Sequence, residues 1–517
     1  MQSNGINVGQ WLSKWASIRP EKIALYSEDR PFTYKYVDER SVRLVNLLTD
    51  LGVVKGDRVG VLLYNSHEYI ETYFALSRMG AILVPLNWRL VASEVEYILK
   101  DSGVTVLLFA GEFTESVNII REAPALPVKH FICVGSDAPA WALDYEKELD
   151  ARQARFPLTS AEVDGEDANI IMYTSGTTGV PKGAILSHRK TFFNVLNANI
   201  FYNLTHNDVM LVARALFHSG GLLVEALPAL YKGASLVMKK RFRPLEILEA
   251  IEKYRVTIIE PPATTLKIIL EQGELDRHDV SSVRCWFTGG ERVPPSLIKG
   301  YKERGITISQ IYGQTETSTI SWLPLADADR KAGSVGVPVF HGDVKVINRE
   351  GAEVKPGEIG EIVASGHIMM SGYWGKPELT RETVRDGWLH TGDLATVDEE
   401  GFLYVVDREK DMFISGGENV YPAEIEKVYL EHPKIMNVAC VGVPDEKWGE
   451  VGTIFIVLKD GETMTEEEAL AFCDGRLARY KMPKQARFLA ALPMTAAQKI
   501  KRNELRDACL REREKGA

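Results

Sequence analysis

The sequence predicts an α/β protein. It has a large N-terminal domain of α/β subdomains, including a small β-rich subdomain, and a small C-terminal α/β domain. Three observations carry this expectation. Up to about residue 240, short β-branched runs alternate with helix-like stretches; between about 330 and 406, glycines punctuate short strand-like runs; after Asp407 the mixed pattern begins again. A chain of 517 residues exceeds one ordinary core, and domains of roughly 100 to 200 residues divide it into two to four units.

In the first region Val59-Gly-Val-Leu-Leu63 and Val104-Thr-Val-Leu-Leu-Phe109 read as strands, and Tyr69 to Arg78 as a helix. Such alternation favours βαβ units on a mainly parallel sheet. In the second, Gly333, Gly336, Gly342, Gly351, Gly357, Gly360, Gly366 and Gly372 separate runs such as Asp343-Val-Lys-Val-Ile347, the texture of a β-rich subdomain closing the large domain. In the third, Pro422 is placed to open a helix and Pro433 to stop it. Asn437 to Val443 and Val451 to Leu458 read as strands, and Thr465 with Glu468 as a capping box. These boundaries give residues 1–407 as the large domain, 408–410 as a hinge and 411–517 as the small domain.

The composition is that of a folded soluble protein, with 45% hydrophobic and 26% charged residues. A net charge of −10 argues against broad nucleic-acid binding, which needs a basic footprint. No apolar run approaches the ~18 to 20 residues of a membrane span, and the first residues lack a secretory pattern, so the expected location is cytoplasmic. The cysteines at 133, 285, 440, 473 and 509 are scattered, which indicates reduced packing thiols rather than a zinc or disulfide framework. The basic run Lys239-Lys-Arg-Phe-Arg243 suits a solvated edge, the 3′-phosphate of a nucleotide or peripheral contact with an anionic membrane. A homodimer is also left open.

Residues 172–183, MYTSGTTGVPKG, hold the features of a phosphate cradle. Glycines let backbone N–H groups approach oxygens closely, hydroxyls add donors and a lysine adds a mobile charge. The stretch is not a Walker loop, because Lys182 is followed by glycine and every hydroxyl precedes it, so γ-phosphoryl transfer is disfavoured. Trp286-Phe-Thr-Gly-Gly-Glu291 and Gln310-Ile-Tyr-Gly-Gln-Thr-Glu316 are apolar strand ends that open into small and polar residues, where ligands collect in α/β sheets. Trp388-Leu-His-Thr-Gly-Asp-Leu394 and Tyr404-Val-Val-Asp-Arg408 add a carboxylate suited to ribose hydroxyls and an arginine.

The ordered set MYTSGTTGVPKG, YGQTE, HTGD, DREKDMFISGGENVYPAEIE and LPMTAAQKIKR resembles the AMP-forming acyl-CoA synthetases of the adenylate-forming superfamily, closest in look to fatty-acyl-CoA ligases. The resemblance implies a large adenylation domain, a mobile C-terminal domain and a two-step reaction. A carboxylate attacks the α-phosphorus of ATP and releases pyrophosphate; the thiol of coenzyme A then takes the acyl group and releases AMP. It further implies that Thr174, Ser175, Gly176, Thr177, Thr178, Gly179 and Lys182 hold the β- and γ-phosphates. Thr315 touches the α-phosphate, and Glu316 with Thr174 places Mg2+. Gly290, Glu291, Gln310, Ile311, Tyr312, Gly313 and Gln314 border the nucleotide, Asp393 accepts from ribose with Arg408 beside it, and Lys499 bridges the α-phosphate and the attacking carboxylate. The family usually has a glycine before that lysine, where this chain has Gln498.

By the same resemblance Lys410 sits at the hinge, and rotation exchanges Lys499 for the turn of Ser415, Gly416, Gly417 and Glu418 along the coenzyme A channel. His218, in Phe217-His-Ser-Gly-Gly-Leu222, is expected to gate or pack the acid pocket rather than act as a base. No aspartate is placed to hold an amine, which favours a plain fatty or aryl acid; the resemblance alone implies a medium- or long-chain fatty acid, with an aryl-CoA ligase or a carrier-protein-loading enzyme as alternatives.

Overall fold

The computed structural model describes residues 5–135, 137–155, 162–174, 181–290, 293–415, 418–445, 448–474, 476–477, 479–495 and 499–516. It falls into two compact units, one of residues 1–344 and 364–389 and the other of residues 345–363 and 390–517.

The first unit contains two large sheets. In one, the parallel run Ile308–Gln314, Cys285–Gly289, Ile258–Ile259, Val209–Leu211, Ser235–Met238 and Ile23–Ser27 is extended by antiparallel strands, Ser318–Trp322 beside Ile308–Gln314 and Arg30–Thr33 at the far side. In the other, Ala168–Thr174, Ile82–Pro85, Arg58–Leu62, Val106–Ala110 and His130–Val134 run parallel, and Lys182–Ser187 and Gly372–Tyr373 add antiparallel strands. The apolar runs read as strands are those of the parallel core, with Val106–Ala110 buried at every position. Tyr69 to Arg78 lies within the helix His67–Met79, capped by the Ser66 side chain and ended by Gly80 at φ 71°. One strand was not legible: Lys182–Ser187 occupies a stretch that reads as turn, so the phosphate-loop segment joins two antiparallel neighbours rather than a strand and a helix.

In the second unit Ile435–Asp445 pairs along its length with Gly449–Leu458 and carries the helix Pro422–Tyr429 on one face. Pro422 stands at the first turn of its helix, and Thr465 with Glu468 forms the expected capping box. The five cysteines are buried, and none is in a disulfide. Among the described residues no helix is long and apolar enough to cross a membrane.

The reversal at Gln314–Ser318 depends on one glycine. A Cβ on Gly313 would lie 1.8 Å from the Ser318 carbonyl oxygen, and Ser318 itself has φ 58°, a region costly for a residue with a side chain. Because the obstacle is backbone, Gly313→Ala is expected to lower stability by about 2–4 kcal/mol in chemical denaturation. A wild-type denaturation midpoint would contradict this.

Candidate active site

The residues expected to bind ligands in the first unit sit where its parallel sheets meet their antiparallel additions. Thr174 and Lys182 are register partners across Ala168–Thr174 and Lys182–Ser187. Ser175, Gly176, Thr177, Thr178 and Gly179 lie outside the described residues. The Thr174 Oγ1 is buried and, among the described residues, has no hydrogen-bond partner. Lys182 extends to Tyr373, with its Nζ 2.7 Å from the phenol oxygen and 4.1 Å above the ring.

Tyr373 connects that lysine to the second hairpin. Its hydroxyl donates to Glu316 Oε1 at 2.9 Å, and Lys182 Nζ stands 4.0 Å from the same oxygen. Burial, reinforced by Glu316, pushes the Tyr373 phenol up, so it stays protonated and donates. The Glu316 backbone is fixed by the Met370 N–H, which donates to its carbonyl at 2.6 Å. Below it Lys190 is 1% exposed and donates through Nζ to Ser318 Oγ, holding the left-handed residue in place. Burial pushes the Lys190 ammonium down to about 7 while Glu316 opposes the shift. Thr315 is half-buried at the tip of this hairpin. The set joins a carboxylate, a phenol and two lysines, with Glu316 Oε2 making no hydrogen bond among the described residues. Glu316 Oε2 is the atom of this set that could serve a cation, the role expected of Glu316 with Thr174.

Gly289 and Gln310–Ile311 are aligned strand ends. Gly290 is exposed at φ 78°, and Gln310 Nε2 is a buried donor with no partner among the described residues. Tyr312, Gly313 and Gln314 continue the same strand and are half-buried; Glu291 lies outside the described residues. His218 is half-buried and its ring lies 4.3 Å from that of Phe217, which also meets Trp88 at 6.1 Å. It precedes a wide π-helical turn, Gly220–Ala226. The basic run is engaged locally: Lys240 pairs with Glu112, Arg241 donates to the Tyr64 hydroxyl at 3.0 Å and stacks on Trp88, and Arg243 pairs with Glu246.

In the second unit Asp393 and Arg408 are register partners, with Arg408 Nε 3.1 Å from Asp393 Oδ1. The turn before Asp393 is held by Glu361, which accepts from the Gly392 N–H at 2.9 Å and contacts His390 Nδ1 at 2.7 Å. Lys410 follows in an exposed turn in which the Asp411 and Met412 N–H groups return to the Arg408 carbonyl. Ser415 pairs with Glu418; Gly416 and Gly417 lie outside the described residues. Lys499 closes a hairpin: its N–H donates to Thr495 Oγ1 at 3.1 Å, its carbonyl accepts from the Thr495 N–H at 2.7 Å, and Met494 bridges Ile500. The lysine is exposed, and Gln498 lies outside the described residues.

Asp407, next to Arg408, caps the helix Pro422–Tyr429 by accepting from the Ala423 N–H at 2.8 Å. Burial raises its carboxyl from 3.8 to about 6. The folded state then holds this proton more tightly than the unfolded chain. Its contribution, on the order of 3 kcal/mol, is full below pH ~4 and is lost as pH rises through about 6. Asp407→Asn should flatten that part of the stability curve, measured by denaturation from pH 4 to 7; parallel curves for the two proteins would contradict the assignment.

Comparison with known proteins decides what this arrangement belongs to. Residues 12–374 match the AMP-binding enzyme family, and residues 424–499 match the AMP-binding enzyme C-terminal domain. The chain belongs to the AMP-binding enzyme family. It is 40% identical over 507 residues to a feruloyl-CoA synthase of Amycolatopsis, covering 98% of this chain and 99% of the relative. It is 37% identical over 510 residues to an indoleacetate–CoA ligase of Aromatoleum aromaticum, covering 98% and 99%. The fold is similar to that of the o-succinylbenzoate CoA synthetase of Bacillus subtilis in complex with its acyl-adenylate, with TM-score 0.86, 33% identity and coverage of 96% and 98%. This AMP-binding enzyme is an AMP-forming acyl-CoA synthetase, which joins an acid to coenzyme A at the expense of ATP, with Mg2+.

Three residues of the first unit escape a reading by motif. Tyr373, in Met370-Ser-Gly-Tyr-Trp374, looks like a core aromatic, and Lys190 like one more polar residue after a helix cap. Arg214 lies in the apolar stretch Leu211-Val-Ala-Arg-Ala-Leu216, where an isolated charge was the available signal.

Proposed function

We propose that this enzyme activates an aromatic or aryl-substituted carboxylic acid and transfers it to coenzyme A. The full-length similarity to synthetases acting on ferulate and indoleacetate carries this reading and turns it away from the fatty acid expected from the motifs. The aromatic wall of Phe217 and Trp88 beside His218 supports it, since a ring is held well by edge-on contacts of this kind.

The first step needs no protein nucleophile, because a carboxylic acid with a pKa of roughly 4 to 5 is already ionised at neutral pH. The protein has to bring two anions together and offset the charge that develops. In this reading Lys182, with residues 174–179, restrains the departing pyrophosphate. Tyr373 holds Lys182 and Glu316 in one geometry. Glu316 and Thr174 would hold Mg2+, which when bound would supply charge neutralisation, and Thr315 would contact the α-phosphate. Asp393 accepts from ribose hydroxyls, with Arg408 orienting its carboxylate. Lys499 serves adenylation. Movement at residues 408–410 then replaces it with the segment around Ser415 and Glu418 for thioester formation.

A panel of aryl, arylalkanoic and alkanoic acids, scored for CoA thioester, tests the substrate class. Aromatic acids should exceed octanoate and palmitate by at least about tenfold in kcat/KM, each tenfold corresponding to ~1.4 kcal/mol of transition-state binding. A preference for the alkanoic acids would restore the fatty-acid reading. Acyl-adenylate without thioester would indicate a carrier-protein acceptor.

A further inference from the structure

Arg214, three residues before Phe217, ties together the segments at Glu260 and Gly289. Its Nη2 donates to the Gly289 carbonyl at 2.7 Å and its Nε to the Glu260 carbonyl at 3.0 Å. Its Cδ lies 2.8 Å from where a Cβ on Gly220 would stand, so the glycine opening the π-helical turn is required for the guanidinium to fit. The arginine backbone is pinned by Asn65, whose Nδ2 donates to the Arg214 carbonyl at 2.8 Å while its Oδ1 accepts from the Leu216 N–H at 2.8 Å. The fork is therefore fixed on two sides.

The third side faces Gly290. A Cβ on exposed Gly290 would stand 3.4 Å from Arg214 Nη1 and meet nothing else within 4 Å. Among the described residues, no group accepts from Nη1. Beneath the guanidinium lie Glu225 and Glu260, 0% and 2% exposed, at 3.8 and 3.3 Å from Nε. Tyr202 donates its hydroxyl to Glu260, and Glu225 Oε1 has no hydrogen-bond partner among the described residues. Burial raises both carboxyls, and each disfavours ionisation of the other. One guanidinium beside two such groups leaves a nearly neutral cluster. A second carboxylate on the substrate would meet a cation whose charge is already balanced, whereas a neutral acceptor loses little on leaving water if it receives a hydrogen bond.

We propose that Arg214 is a specificity-determining residue whose Nη1 donates to an uncharged oxygen on the acid, such as a ring hydroxyl, ether or keto oxygen. This rests on the ligase reading of the same site. The test compares phenylpropenoic acid with derivatives carrying hydroxyl, methoxy or carboxyl groups at ring positions 2, 3 or 4. The wild-type enzyme should prefer at least one hydroxyl or methoxy derivative over the parent acid by about 10- to 100-fold in kcat/KM. No carboxyl derivative should gain in this way. In Arg214→Met the preference should shrink to within a few-fold, with KM for ATP unchanged. Arg214→Lys keeps the charge over the two carboxyls but lacks the fork, and reads the same point if the methionine variant does not fold.

A preference that survives in either folded variant overturns the proposal, as does a parallel rise of KM for ATP, which would mark a general structural support. Turnover of every acid without preference overturns the Arg214 assignment alone and leaves the ligase reading standing. Absence of turnover with every acid overturns both.

Discussion

Replacing Lys499 by alanine should lower acyl-adenylate formation by about 10²- to 10³-fold, the usual loss when one preorganised charge is removed from a developing anion. Thioester formation from supplied acyl-adenylate should stay within a few-fold of wild type. The carboxylate and the α-phosphate repel each other on approach, and a cation ~4 Å from such a charge contributes about 4 kcal/mol at an effective dielectric near 20. The hairpin from Pro493 to Lys501 holds Lys499 by backbone bonds through Thr495, and alanine keeps these bonds. Lys501 is the control: it is also basic and only two residues away, but its Nζ is paired with Glu504 at 2.8 Å. Lys501→Ala should change neither step. Equal loss of both half-reactions in Lys499→Ala would contradict its assignment to adenylation.

Glu316→Gln should reduce kcat/KM for ATP by about 10²-fold and raise the Mg2+ concentration needed for half-maximal activity by about tenfold, because it removes the charged oxygen proposed to hold Mg2+ while keeping the side chain's shape. The glutamine can still accept from the Tyr373 hydroxyl, so thermal stability should change little. Tyr373→Phe separates the two functions of the set: it breaks the link between Lys182 and Glu316 but leaves both charges. Its loss should be smaller, about tenfold, without the change in Mg2+ demand. An unaltered Mg2+ titration in Glu316→Gln would remove Glu316 from the cation site.

The parts of the fold that could be read from the sequence are those governed by local rules. Buried parallel strands show themselves as apolar runs such as Val104 to Phe109, and helix ends through Pro422, Thr465 and Glu468. The meeting of Asp393 and Arg408 was expected from the family resemblance alone, and the two are register partners.

What could not be read depends on pairing across distance. Lys182–Ser187 looks like a turn because its strand character comes from Ala168–Thr174 beside it. Tyr373 acquires its place from Glu316, 57 residues earlier, and Lys182, 191 residues earlier. Arg214, Glu225 and Glu260 are one cluster only in three dimensions, since no spacing in the chain relates a lone arginine to two buried carboxyls. The motifs leave the class of acid open for a similar reason: the ATP motifs dominate the sequence signal, whereas the residues proposed to meet the acid, such as Phe217 and Trp88, look ordinary one at a time.

The most direct measurement follows the phosphorus products with an aromatic acid, ATP and Mg2+, with and without coenzyme A. Without coenzyme A, one burst of pyrophosphate per active site should appear, with acyl-adenylate retained. With coenzyme A, AMP, pyrophosphate and acyl-CoA should form in equal amounts at a sustained rate. ADP and inorganic phosphate in place of AMP and pyrophosphate would contradict attack at the α-phosphorus.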